Sequence, residues 1–123
     1  MFKIIKSRNK TKKLCVITPN KKIINFGAKG YSDYTKHKNP KRMRLYIGRH
    51  GGKISQNIKN ETNMTNIHIK MQKVSISTKE NWTKSGLITA GFWSRWLLWS
   101  EPNMSKAINL IENKFNIKIH YHK

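Results

Sequence analysis

The stretch Ala90-Gly91-Phe92-Trp93-Ser94-Arg95-Trp96-Leu97-Leu98-Trp99 is apolar almost all round, with Phe92, Trp93, Trp96 and Leu97 at helical spacing. A helix that is apolar on every side must lie inside the molecule. It is therefore expected to be the central buried helix, entered at Thr89 and ended by Glu101-Pro102. Everything else in the chain has to be arranged around it. With 123 residues there is room for a single modest core. Trp93 and Trp96 are expected in that core, whereas Trp82 and Trp99 are candidates for a protein interface.

Layers to cover this helix can be found on both sides of it. Apolar pieces at residues 2–6, 14–18 and 22–26 are separated by polar, turn-forming breaks at residues 7–13 and at Pro19-Asn20-Lys21, which predicts an antiparallel meander. The glycines of Gly27-Ala28-Lys29-Gly30 interrupt the pattern, and that loop lacks the Walker spacing of a phosphate cradle. Asn39-Pro40 is a helix start, with Asn as cap and Pro at the first helical position. In the predicted helix over 40–49, Met43, Tyr46 and Ile47 share a face, while Lys41, Arg42, Arg44 and Arg49 occupy the remaining arc together with Leu45.

Gly51-Gly52 stops that helix, and residues 53–64 read as a mobile loop. Ile67, Ile69 and Met71 alternate with His68, Lys70 and Gln72, and Val74 and Ile76 follow after a one-residue slip. That is the pattern of a bulged, half-buried strand, so residues 51–79 are expected to be an inserted loop or hairpin. Asn103 caps an amphipathic helix carrying Met104, Ala107, Ile108, Ile111 and Phe115, and residues 117–121 alternate as a final strand. The expected architecture is one α+β domain over 1–123, a small antiparallel sheet packed against about three helices.

Charge bears on function. Lysine and arginine number 26 against five acidic residues, a formal charge of +21. Such a surface repels itself and seeks anions. Nucleic-acid phosphates, anionic lipid headgroups and acidic proteins could all serve, and basic residues spread along a folded domain favour the first. An AT-rich genome inflates lysine but does not account for the scarcity of Asp and Glu. The amino-terminal stretch carries lysines among its apolar residues, and no segment approaches the apolar length of a membrane span, so the expectation is a protein neither secreted nor transmembrane. The single cysteine, Cys15, sits in an apolar run and is expected to be buried and structural.

Little in the sequence asks for chemistry. Asp33, Glu61, Glu80, Glu101 and Glu112 are dispersed, and His120 and His122 are two ligands where a zinc site needs more, with His37, His50 and His68 elsewhere. No catalytic residue, metal or cofactor is expected. Asp33 is the one acidic residue in the first sixty positions, which suggests a structural task such as fixing Arg42, Arg49 or a backbone turn. Tyr31 and Tyr34 are interleaved with basic residues in a way that lets rings stack on bases, with Lys36, Lys38, Lys41, Arg42, Arg44 and Arg49 neutralising phosphates. The competing reading packs both tyrosines across the sheet with their hydroxyls reaching water.

The motifs Gly30-Tyr31-Ser32-Asp33-Tyr34-Thr35-Lys36-His37, Arg49-His50, Glu80-Asn81-Trp82 and Thr89-Ala90-Gly91-Phe92-Trp93-Ser94-Arg95-Trp96-Leu97-Leu98-Trp99 resemble a family of small basic proteins of nucleocytoplasmic large DNA viruses. This resemblance implies a viral product, expected in the virion or in the host-cell cytoplasm or viral factory. Where the family has a short basic connection between the His50 and Glu80 motifs, this chain carries a longer segment. The expected function is non-enzymatic binding of nucleic acid, DNA or RNA. The alternative is a minor capsid protein contacting acidic capsid surfaces through its charge and through Trp82 and Trp99, and a nuclease using Asp33 or Glu80 comes third.

Overall fold

The computed structural model describes residues 1–122. Strands β1 (Phe2–Lys6), β2 (Lys12–Ile17) and β3 (Ile23–Ala28) form the expected meander. β1 pairs antiparallel with β2, and β2 with β3. The last strand, β4 (Ile119–Tyr121), joins the other side of β1 and runs parallel to it, with Phe2 opposite Ile119. The sheet order is β3-β2-β1-β4, so the sheet is mixed rather than wholly antiparallel. A parallel neighbour needs a crossover instead of a hairpin. The helical part of the chain, which separates β3 from β4 in sequence, supplies it.

Alternation along the strands sends Ile4, Leu14, Val16, Ile24 and Phe26 into the core. Cys15 is buried too, but it lies outside that cluster, as its place between Leu14 and Val16 requires. Burial pushes its thiol above the ordinary value, with Arg8 opposing the shift. Because the thiolate is the reactive form, Cys15 is expected to react with a thiol reagent such as Ellman's only as fast as the protein opens. Immediate full labelling of the folded protein would contradict this.

The helices add to expectation. Asp33 caps a short α1 (Tyr34–His37), and Asn39 caps α2 (Pro40–Arg49) by accepting from the Lys41 amide at 3.0 Å. Residues 53–76 are not the predicted loop and strand: α3 (Gln56–Lys59) and α4 (Met64–Met71) stand there. Ile67 and Met71 are four residues apart, so in a helix they share a face, and both are fully buried. Ile69, which the strand pattern would have put beside them, is 50% exposed. Asn63 caps α4 through the Asn66 amide, which a strand would not offer. All that remains of a hairpin is its closure, a single bridge between Gly52 and Ser77.

A tight 3-10 turn (Lys84–Ile88) leads into α5 (Ala90–Trp93), whose first turn is capped by Thr89, and the helix then widens into a π turn over Ser94–Leu98. Phe92, Trp93, Trp96 and Leu97 are completely buried, as predicted. Arg95 is equally buried within the π turn. After Pro102, α6 (Met104–Phe115) packs Ala107, Ile111 and Phe115 inward and ends at Asn116 in the left-handed conformation. Among the described residues, no helix is long and apolar enough to cross a membrane.

Candidate nucleic-acid interface

α2 places its apolar stripe inward, with Met43 and Ile47 fully buried and Tyr46 half-buried, which turns Lys41, Arg42 and Arg49 to solvent. Gly51, at φ +83°, ends the helix path and turns the chain away. The segment then returns to its starting point. Lys53 donates to the Ile76 carbonyl at 3.0 Å and Thr78 to that of Gly51 at 2.9 Å. The Ser77 hydroxyl donates to the His50 carbonyl at 2.6 Å and accepts from the Glu80 amide at 3.0 Å. The intervening residues are thus looped out, and the two motifs they separate in sequence are side by side.

His50 Nδ1 and Glu80 Oε2 are 3.1 Å apart. A carboxylate only accepts, so Nδ1 carries the proton. Glu80 is held from its other oxygen by the Trp82 indole N–H at 2.8 Å. Tyr46 stacks on His50 with ring centroids 4.0 Å apart, and on Trp99 at 4.2 Å and 4°. Burial, helped by the negative charge of Glu80, pushes the Tyr46 hydroxyl well above its ordinary value, so it stays protonated.

These groups border a cleft of about 520 Å³ between the end of the β2–β3 hairpin, α2 and the start of α5. Lys12, Lys13, Arg42 and Arg49 line it, together with Tyr31, His50, Glu80 and Trp99. Asp33 also reaches it, buried, and forms an ion pair with Lys13 at 2.6 Å. Asp33 further accepts from the Thr35 amide at 3.0 Å and from its hydroxyl. Its task is structural, as its isolation in the sequence suggested, but its cationic partner is Lys13 rather than Arg42 or Arg49.

Of the residues predicted to meet nucleic acid, Arg42, Arg49 and Tyr31 border the cleft, and Lys36 and Lys41 are exposed outside it. Tyr31 is 73% exposed. Lys38 is exposed as well, although its ammonium reaches the Pro102 carbonyl at 2.5 Å. Arg44 is occupied: its guanidinium donates to the carbonyls of Ile58 and Glu61, both at 2.8 Å, and so ties α2 to α3 and the residues just after it. Tyr34 is not available for stacking. It is 2% exposed and its hydroxyl lies 2.7 Å from His68 Nδ1. Burial and the charge of Glu101 push that hydroxyl up to about 12. Trp82, expected at an interface, is buried beside Arg95, while Trp99 is half-buried at the cleft.

Lys12, Lys13, His50 and Tyr46 are cleft residues that sequence reasoning did not select as site residues, and Glu80 was named only as a nuclease carboxylate. The spacing of His50 and Glu80 hides their pairing, and Lys12 and Lys13 read as ordinary strand ends. Among the described residues, no group of three or more His, Cys, Asp or Glu side chains is placed to hold a metal ion.

Each of the five side-chain carboxylates has a polar neighbour within the fold. Asp33 pairs with Lys13, Glu61 with Lys70 at 2.7 Å, and Glu80 with His50. Glu101 lies 3.7 Å from His68, and Glu112 caps the Ile119 amide at 2.9 Å. Only Lys13 and Lys70, of the lysines and arginines among the described residues, form an ion pair with a carboxylate.

Over residues 2–50, the segment from β1 through α2, the chain is similar to a family of unknown function (DUF5754). No curated protein and no solved structure matches it.

Proposed function

We propose that the protein binds nucleic acid, DNA or RNA, by phosphate contacts from the exposed face of α2 and the adjoining cleft, without covalent chemistry. The observation that carries this reading is that, in a chain of charge +21, Lys13 and Lys70 alone among the lysines and arginines of the described residues are paired with a carboxylate. The other lysines and arginines have no paired carboxylate among the described residues, and a phosphate backbone supplies counter-charge at regular intervals. Phosphate contacts position a strand without reading its sequence, so the binding is expected to be largely sequence-independent.

Fluorescence anisotropy across a salt series tests the proposal, comparing the native chain with a Lys41→Ala/Arg42→Ala/Arg49→Ala variant. Arg44 is left in place because it anchors residues 58 and 61. The variant is expected to bind duplex more weakly, with a log–log salt slope shallower by roughly 2 to 3, at about 0.9 for each phosphate no longer neutralised. An unchanged slope would remove α2 from the interface, and absence of binding at low salt would remove the function.

A further inference from the structure

We propose that the cleft is a site for one nucleotide carrying a terminal phosphomonoester, taken either as a free nucleoside monophosphate or as the phosphorylated end of a strand. The inference rests on the nucleic-acid reading above and specifies what its most enclosed part holds. At about 520 Å³ the cleft is within the size range of small-ligand pockets, large enough for one nucleotide and too small for a run of stacked bases.

Charge selects the phosphate. Lys13 and Asp33 cancel each other, and Glu80 is held by His50 and Trp82. Lys12, Arg42 and Arg49 line the same cleft and form no ion pair among the described residues. Arg49 spends only its Nε, on the Leu45 carbonyl at 3.4 Å, so its terminal nitrogens can fork onto phosphate oxygens. The Arg42 guanidinium has no hydrogen-bond partner among the described residues. A monoester dianion meets such an excess of cations better than the single charge of a diester.

Stacking selects a ring beside the phosphate. Tyr46 has both faces covered, by Trp99 and His50, and so forms a rigid wall. Tyr31 stands exposed at the rim, after Gly30 at φ +90°, and is the ring with room for a base. His50, with its Nδ1 proton committed to Glu80, keeps Nε2 as an acceptor, which suits a ribose hydroxyl or a base N–H rather than the phosphate.

Titration calorimetry with AMP, adenosine and inorganic phosphate tests the site. It is paired with anisotropy on a short single strand ending in either a 5′-phosphate or a 5′-hydroxyl. The variants are Arg42→Ala/Arg49→Ala and, on exposed positions remote from the cleft, Lys106→Ala/Lys118→Ala. AMP is expected to bind at least about tenfold more tightly than adenosine, and the cleft variant to lose about tenfold or more of that affinity while the remote variant keeps it.

Tighter binding of the phosphate-ended strand would assign the site to strand ends. Equal affinity for both ends, with AMP still bound, would assign it to the free nucleotide. If strands bind but AMP does not, the cleft inference falls and the nucleic-acid reading stands. If AMP binds and strands do not, that reading falls and the cleft keeps its ligand.

Discussion

Replacing Arg95 with methionine is expected to destabilise the protein by about 4 kcal/mol, and to lower its melting temperature by roughly 15 °C. The guanidinium is completely buried and donates to the carbonyls of Trp99 and Met71 at 2.7 Å and of Val74 at 3.0 Å. It lies 4.2 Å from the Trp96 ring centroid and 5.5 Å from that of Trp82. Methionine matches much of the volume but orphans three carbonyls, each costing about 1–3 kcal/mol when left unsatisfied in the interior. Arg95→Lys is expected to recover only part of the loss, because an ammonium cannot span the fork. Desolvation lowers the Arg95 pKa to about 9, which leaves it charged at neutral pH. Urea unfolding reads the effect, and a methionine variant with the native midpoint would show that the three hydrogen bonds contribute nothing net.

Removing the carboxylate of Asp33 is the second large effect. Asp33→Ala is expected to cost about 3 kcal/mol, since it strands the Lys13 ammonium, whose side chain is only 13% exposed, and removes the cap of α1. The double variant Asp33→Ala/Lys13→Met should be more stable than Asp33→Ala alone, because the uncompensated charge is gone while the lost cap remains. If thermal unfolding ranks the double variant below the single one, the ion pair is not the reason that Asp33 matters. The cleft would report the same lesion, as Lys13 and Asp33 form part of its wall.

Arg95 and Asp33 illustrate how differently structural residues announce themselves. Asp33 stood out as a lone acid in a basic half, and its burial follows that hint even though its partner is Lys13. Arg95 gave no comparable signal, because a single cation in an otherwise apolar helix can as well point to solvent at a helix edge. Its carbonyl partners come from the end of α4, from the turn after it and from the end of the π turn. None of these shows in the local pattern around Arg95.

Short-range physics accounts for what the sequence determined by itself. The meander, the capped α2, the buried tryptophan helix and the amphipathic α6 each follow from turn residues, caps and hydrophobic spacing within a few positions of one another. Tertiary structure decided the rest where local patterns were degenerate or partners were far apart. Ile67, Ile69 and Met71 suit a strand as well as a helix, and the helix prevails because it turns Ile67 and Met71 together into the core beside Met43 and Ile47 of α2. The parallel placement of β4 depended on where the crossover returned. The cleft depended on a loop closure that sets His50 against Glu80, a contact across thirty positions that only the packed chain can make.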